Sequence, residues 1–215
     1  MRKHEKSKKT FFYNMKQYVF NNIKQYLIIA TIFLIGIVVG IIVVNYLQDE
    51  SKNQINETIT TFIKYLKDDS YKIEYASVFK SVMIKHILFT LCLWFLGCSV
   101  VGLPVVYILI GYKGFSLGYT ISSIIFTLGM GKGTEFVFLS LFLQNIFVIP
   151  AILSIAVSGS NLYKSIIKNK RIENIKIEII RHTFFCIFML VFLMIASFVE
   201  VYISGFLIDT CINFF

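Results

Sequence analysis

Apolar residues in this chain fall in long blocks. They are not confined to one helical face or to alternate strand positions. A helix needs roughly 18 or more such residues to cross a hydrocarbon core of ~30 Å. The first block runs from Leu27 to Leu47, broken only by mild residues such as Thr31 and Asn45. The second runs from about Ile87 to Ile110, the fourth from Phe136 to Val157, and the fifth from Thr183 to Ile208. The third, Phe115 to Leu128, is short and fits either a tilted crossing or part of a re-entrant hairpin. The pattern predicts an all-α, polytopic bundle of five transmembrane helices. A β-barrel is excluded, because barrel strands alternate apolar and polar residues.

Between the first two blocks, residues 48–86 form the one sizeable segment outside the membrane. Ile55, Ile59, Phe62, Ile63 and Leu66 recur at helical spacing and make one apolar stripe. Asn56, Glu57, Thr60, Lys64 and Lys67 take the other face, and Asp68-Asp69-Ser70 ends the pattern. A second short helix carries Val78, Phe79, Val82 and Met83 into the second span. The stripe is either a docking surface for an external partner or a helix lying on the membrane surface. The tail 1–26, with Phe11, Phe12, Met15, Tyr18, Val19 and Phe20 among basic residues, predicts an interfacial helix.

Composition agrees: 57% of the 215 residues are hydrophobic and 15% charged, against about 25% charged in soluble domains. Basic residues orient the bundle. Arg2, Lys3, Lys6, Lys8, Lys9, Lys16 and Lys24 lie in the tail. Lys164, Lys168, Lys170, Arg171, Lys176 and Arg181 lie in the loop 158–182, and Lys113 is expected in a tight turn after span two. Five spans put these fourteen on one side. Lys52, Lys64, Lys67, Lys72, Lys80, Lys85 and Lys132, seven in all, lie on the other. The positive-inside rule then predicts a cytoplasmic N-terminus and an outer C-terminal tail, 209–215. The net charge of +9 is explained by contact with anionic lipid and implies no nucleic acid. Gln48-Asp49-Glu50 follows the first block where a cleaved leader would have small residues, so that block is expected to stay as an anchor.

Catalytic and metal-binding patterns do not emerge. Cys92, Cys98, Cys186 and Cys211 form no CxxC pair and read as packing residues. His4, His86 and His182 stand far apart, at a tail or span borders. Gly129-Met130-Gly131-Lys132-Gly133-Thr134 misses phosphate-loop spacing and is expected to be a turn. No nucleophile with a base can be named, so neither an enzyme nor a cofactor is expected. Glu200 is the sharpest residue, a carboxylate inside the fifth block. Ser197, Glu200 and Ser204 share a helical face, and Gln144 and Asn145 interrupt the fourth block. Gln144 lies eight residues from Phe136 and Glu200 eight from Ile208, so both sit roughly 12 Å below one surface. The pair is either interhelical glue or an ion or proton site. Gly36-x-x-x-Gly40 and Gly114-x-x-x-Gly118 mark close helix contacts, within the chain or between copies. Pro104 and Pro150 are expected to kink or terminate helices.

Several of these stretches, in this order and spacing, resemble the stage II sporulation protein M family. They are Gly102-Leu103-Pro104, Lys113-Gly114 with Gly118, Gln144-Asn145 with Pro150-Ala151, and the segment Ser197 to Ser204. The resemblance implies a polytopic protein of forespore engulfment. It also implies partners, stage II sporulation proteins D and P, that cut peptidoglycan outside the membrane. The role implied is positional: a scaffold in the septal and engulfing membrane of the mother cell. A permease-like or ion-conducting subunit using Glu200, Gln144 and Asn145 is the alternative.

Overall fold

A computed structural model describes residues 17–67, 74–99, 102–168 and 172–211. Among them there is no strand. One helical turn at residues 17–21 precedes α1 (Ile23–Asn45). Then come α2 (Asp49–Lys67), α3 (Tyr75–Gly97) and α4 (Gly102–Leu128). After Gly129 the chain forms α5 (Met130–Val137), a π-helical turn (Phe138–Phe142) and α6 (Leu143–Lys168). It ends with α7 (Ile172–Phe198), a second π-helical turn (Val199–Ser204) and α8 (Gly205–Cys211). Five stretches are long and apolar enough to cross a membrane: α1, α3, α4, Met130–Ile167 and Ile175–Ile208.

The second and third spans do not divide where the apolar blocks suggest. The expected second span, Ile87–Ile110, is the end of one helix and the start of the next. α3 stops at Gly97, and α4 begins at Gly102. Pro104 stands in the first turn of α4, where its missing N–H costs no hydrogen bond, so it starts a helix rather than kinking one. The short third block is therefore the second half of a 27-residue helix, and the re-entrant alternative falls. Lys113 is not in a turn. It lies eleven residues into α4, near the middle of the span.

Other boundaries move outward. The fourth span starts at Met130, so the expected glycine-rich turn reduces to Gly129, at φ 80°. Only glycine holds such a φ without strain. The described parts of the loop 158–182 are the ends of α6 and α7. α3 begins twelve residues before Ile87 and absorbs the short helix expected over Val78–Met83. α6 runs on through Pro150, which terminates nothing. Asp68-Asp69-Ser70 and the tail residues 1–16, with Phe11, Phe12 and Met15, lie outside the described residues.

α1 and α4 make the most extensive contact in the molecule. A Cβ on Gly36 would run into the Gly111 carbonyl oxygen, and one on Gly40 into that of Phe115. Reciprocally, Gly114 faces the Phe33 carbonyl and Gly118 that of Ile37. Both glycine motifs are thus used on each other within the chain. Contacts advance in step along both helices, so α1 and α4 run parallel, as the single intervening crossing, α3, requires.

α6 is the central helix. Ala151, Ile152, Ile155, Ala156 and Val157 are buried in one cluster with Ile29, Leu93, Val106, Ile110 and Leu193. Small residues at Ala151, Ala156 and Gly159 let α3 and α7 close around it.

α2 lies against α4 at one end of the bundle. Its apolar stripe is the face turned to the bundle: Ile63 is 7% exposed, and Ile55, Ile59 and Leu66 are half-buried. Lys52 reaches over the Phe126 ring of α4. The stripe is consequently not an open docking surface over its length. Phe62, 53% exposed, is its outward member.

Candidate functional site

Two π-helical turns pack against each other near the α2 end. π-Turns insert a residue into the helical ladder and are frequent at functional sites. Side chains service the carbonyls around the first one: Ser140 Oγ donates to Phe136 O at 2.7 Å and Asn145 Nδ2 to Leu141 O at 2.7 Å. Asn145 is thereby spent on its own helix and does not pair with Glu200.

Gln144 does meet Glu200. With its amide nitrogen turned to the carboxylate, Gln144 donates at 3.2 Å to Oε1 and 2.6 Å to Oε2. His86 on α3 brings Nε2 to 3.9 Å from Glu200 Oε2. Lys113 on α4 lies within electrostatic reach of both Glu200 and Lys85, with its ammonium 5.9 Å from the Phe89 ring centroid. Four spans therefore each send one polar side chain to the same region. The Lys113 ammonium offsets a carboxylate that hydrocarbon would otherwise penalise by several kcal/mol. A cluster so compensated can hold helices together.

The other members of the predicted face separate. Ser197 is fully buried and donates to Leu193 O at 2.9 Å, within its own helix. Ser204, 2% exposed, has no hydrogen-bond partner for its Oγ among the described residues. It lines a cavity of about 430 Å³ together with Glu200, Gln144, Phe62, Leu66 and Tyr75. Gln144 also lines a second cavity of about 140 Å³, whose polar walls are Lys113, Ser116, Thr120 and Asn145.

Sequence reasoning missed His86 and Lys113, because it placed one at a span border and the other in a turn. Pro104 was the signal that could have found them. Read as a helix-start residue, it moves the break to about residue 100 and carries Lys113 into mid-span.

At the opposite end His182 is buried and pairs with Ser158, Nδ1 to Oγ at 2.8 Å. Its ring packs on Gly97 and Gly159, and a Cβ on either glycine would crowd the other's Cα. Trp94 Nε1 donates to Thr183 Oγ1 at 2.9 Å. Cys186, 3.6 Å from His182 Nε2, is buried packing; Cys92 faces outward. These groups bind α3, α6 and α7 together, and Trp94, Thr183 and Cys186 also line a cavity of about 290 Å³.

One comparison with known proteins decides the family. The family model described as Stage II sporulation protein M matches residues 29–205. The chain belongs to the stage II sporulation protein M family. The match begins within α1 and ends at Gly205, so it takes in all four clustered residues and both π-turns, and leaves out the basic tail. No curated protein and no solved structure matches the chain. Membership makes it a sporulation-related membrane protein with several membrane-spanning helices.

Proposed function

We propose that this chain is a membrane scaffold of the engulfment machinery. It would hold peptidoglycan-degrading partners, stage II sporulation proteins D and P, at the septal and engulfing membrane of the mother cell. Family membership over residues 29–205 carries this reading. The shape supports it: a five-helix anchor presents one amphipathic helix, α2, at a membrane surface. Tethering hydrolases there raises their effective concentration at the wall without catalysis by the anchor itself. In this reading the chain is not an enzyme and uses no cofactor.

The orientation follows from charge. With Lys113 moved into the bundle, thirteen basic residues lie on the N-terminal side and seven on the α2 side. The excess still argues for a cytoplasmic N-terminus, with α2 outside facing the wall.

Affinity capture from sporulating cells tests the scaffold, with Phe62→Ser as the informative variant. Phe62 is the exposed member of the stripe, so its loss should leave the bundle folded while reducing hydrolase capture several-fold. Full capture by a normally abundant Phe62→Ser protein would remove α2 as the docking element. Absence of the hydrolases from wild-type captures would reject the scaffold.

The second reading, a conducting subunit, draws on the four-span polar cluster. Against it, Ile152, Ile155, Val106 and Ile110 are buried together in one apolar cluster. Ion flux into proteoliposomes above that of empty vesicles would favour it.

A further inference from the structure

Between α3 and α7, toward the His182 end, lies a cleft. Ile87, Leu91 and Trp94 of α3 form one wall and Thr183, Ile187 and Leu190 of α7 the other, enclosing about 290 Å³. Each set repeats at i, i+4 and i+7, so each is one row along a helix face. Trp94 Nε1 donates to Thr183 Oγ1 at 2.9 Å across one end. The helices are antiparallel, so Ile87 and Leu190 stand at the other end. Seven residues of helix make the cleft roughly 10 Å long. Thr90 and Cys186 form its floor, 5% and 3% exposed, while Leu91 and Ile187 on the rims are 52% and 56% exposed.

The walls are hydrocarbon. The Trp94 N–H is spent on Thr183, whose hydroxyl donates to Ile179 O at 2.9 Å. Thr90 Oγ1 is itself covered. An occupant finds nothing to hydrogen-bond along the cleft, so the part that enters is aliphatic. A second helix fits badly, because close helix contact draws on small residues at the surface of approach. The rims here are leucine and isoleucine, whereas Gly36, Gly40, Gly97, Gly114 and Gly118 are turned onto neighbouring helices of the same chain. A single alkyl chain needs only the width between two rows.

Charge at one end identifies the molecule that carries that chain. The α7 row continues back from Thr183 to Lys176, two turns earlier on the same face and exposed. Lys176 stands at the edge of the fifth span, Ile175–Ile208, where the headgroups of a bilayer begin. Arg181, also exposed, pairs with Glu178. The segment 158–182 to which they belong holds six basic residues against two carboxylates, Glu173 and Glu178. An anionic headgroup meets an attractive field there.

We propose that the cleft between α3 and α7 is a lipid site, in which one acyl chain of an anionic phospholipid lies between the two rows with its headgroup at Lys176. The lipid comes from the leaflet on the 158–182 side, opposite α2, and joins α3 to α7. The site goes beyond the scaffold reading and does not depend on it.

Trp94 is the one tryptophan of the chain, so the cleft carries its own probe. The full chain is placed in phosphatidylcholine vesicles with a rising minor fraction of phosphatidylglycerol brominated near the ester end of its acyl chains. Bromine quenches indole fluorescence on contact. Quenching should saturate, with a half-effect at a several-fold lower fraction than for phosphatidylcholine brominated in the same way. Lys176→Gln should remove most of that difference, and so should high salt with the unaltered chain. Quenching that rises in proportion to the brominated lipid, equally for both headgroups, is ordinary boundary contact and overturns the site. Absence of quenching by either lipid means that protein covers the cleft, and overturns it as well. A preference that survives both Lys176→Gln and high salt overturns the placing of the headgroup, and with it the proposal. Should Lys176→Gln insert poorly, the salt series on the unaltered chain decides between the same outcomes.

Discussion

The Glu200–Gln144 contact can be measured as a coupling free energy. Glu200→Ala removes a carboxylate that accepts from the Gln144 amide on both oxygens, at 3.2 and 2.6 Å. The stranded amide then faces a cavity rather than close packing, so the cost belongs at the lower end of the ~1–3 kcal/mol expected for an unsatisfied buried group. Gln144→Leu is the reciprocal change. It leaves Glu200 with His86 at 3.9 Å, too long to replace a hydrogen bond. A hydrogen bond to a charged group contributes about 1.5–3 kcal/mol in water-soluble proteins. Interhelical polar pairs in membranes average about 0.6 and reach about 1.7. The charge and the partial access to solvent place this pair near the upper membrane value, about 1.5 kcal/mol. The double variant Glu200→Ala with Gln144→Leu should therefore be more stable than the sum of the two single losses by about that amount. Glu200→Gln keeps an acceptor but removes the charge, and should lose about half of the coupling. The assay is unfolding in mixed micelles, followed by helical circular dichroism as the fraction of denaturing detergent rises. Additive single losses would refute the pairing. A Glu200→Gln variant as unstable as Glu200→Ala would refute the reasoning from hydrogen-bond acceptance.

Three further outcomes follow from the packing. Gly36→Ala should destabilise by about 1–3 kcal/mol, because its Cβ meets the Gly111 backbone, which cannot move aside as a side chain could; Gly131→Ala, with nothing near its Cβ, is the neutral control, and equal losses at both would refute within-chain glycine packing. Ser158→Ala removes a 2.8 Å hydrogen bond to the buried His182 ring and should cost about 1–3 kcal/mol in the same assay; no loss would mean that another group satisfies Nδ1. Cysteine placed at Asn53 should react with an impermeant reagent in intact cells, and at Asn169 only after permeabilisation; labelling at Asn169 in intact cells would invert the proposed orientation.

The lengths and apolar character of the blocks were enough to establish a helical membrane bundle with five crossings. Hydrocarbon imposes that answer locally, because every backbone group must be satisfied within its own helix. The pairing of Gln144 with Glu200 was legible for a related reason. Two polar residues in adjacent spans, each eight residues from the end of its block, share a depth whatever the details of packing. Helix breaks were not legible from hydropathy, since residues 98–101 are as apolar as what flanks them. For that reason Lys113 and His86 were placed outside the membrane, although the sequence contained both. Two things only the tertiary structure could decide. The glycine motifs and the α2 stripe are surfaces without an address until neighbours are placed; the fold turned Gly36 and Gly40 onto Gly111, Gly114 and Gly118, and most of the stripe onto α4. The π-turns shift residues around the helix axis. Ser197 is spent on its own backbone while Glu200 and Ser204 line one cavity, a division that uniform 3.6-residue periodicity cannot express.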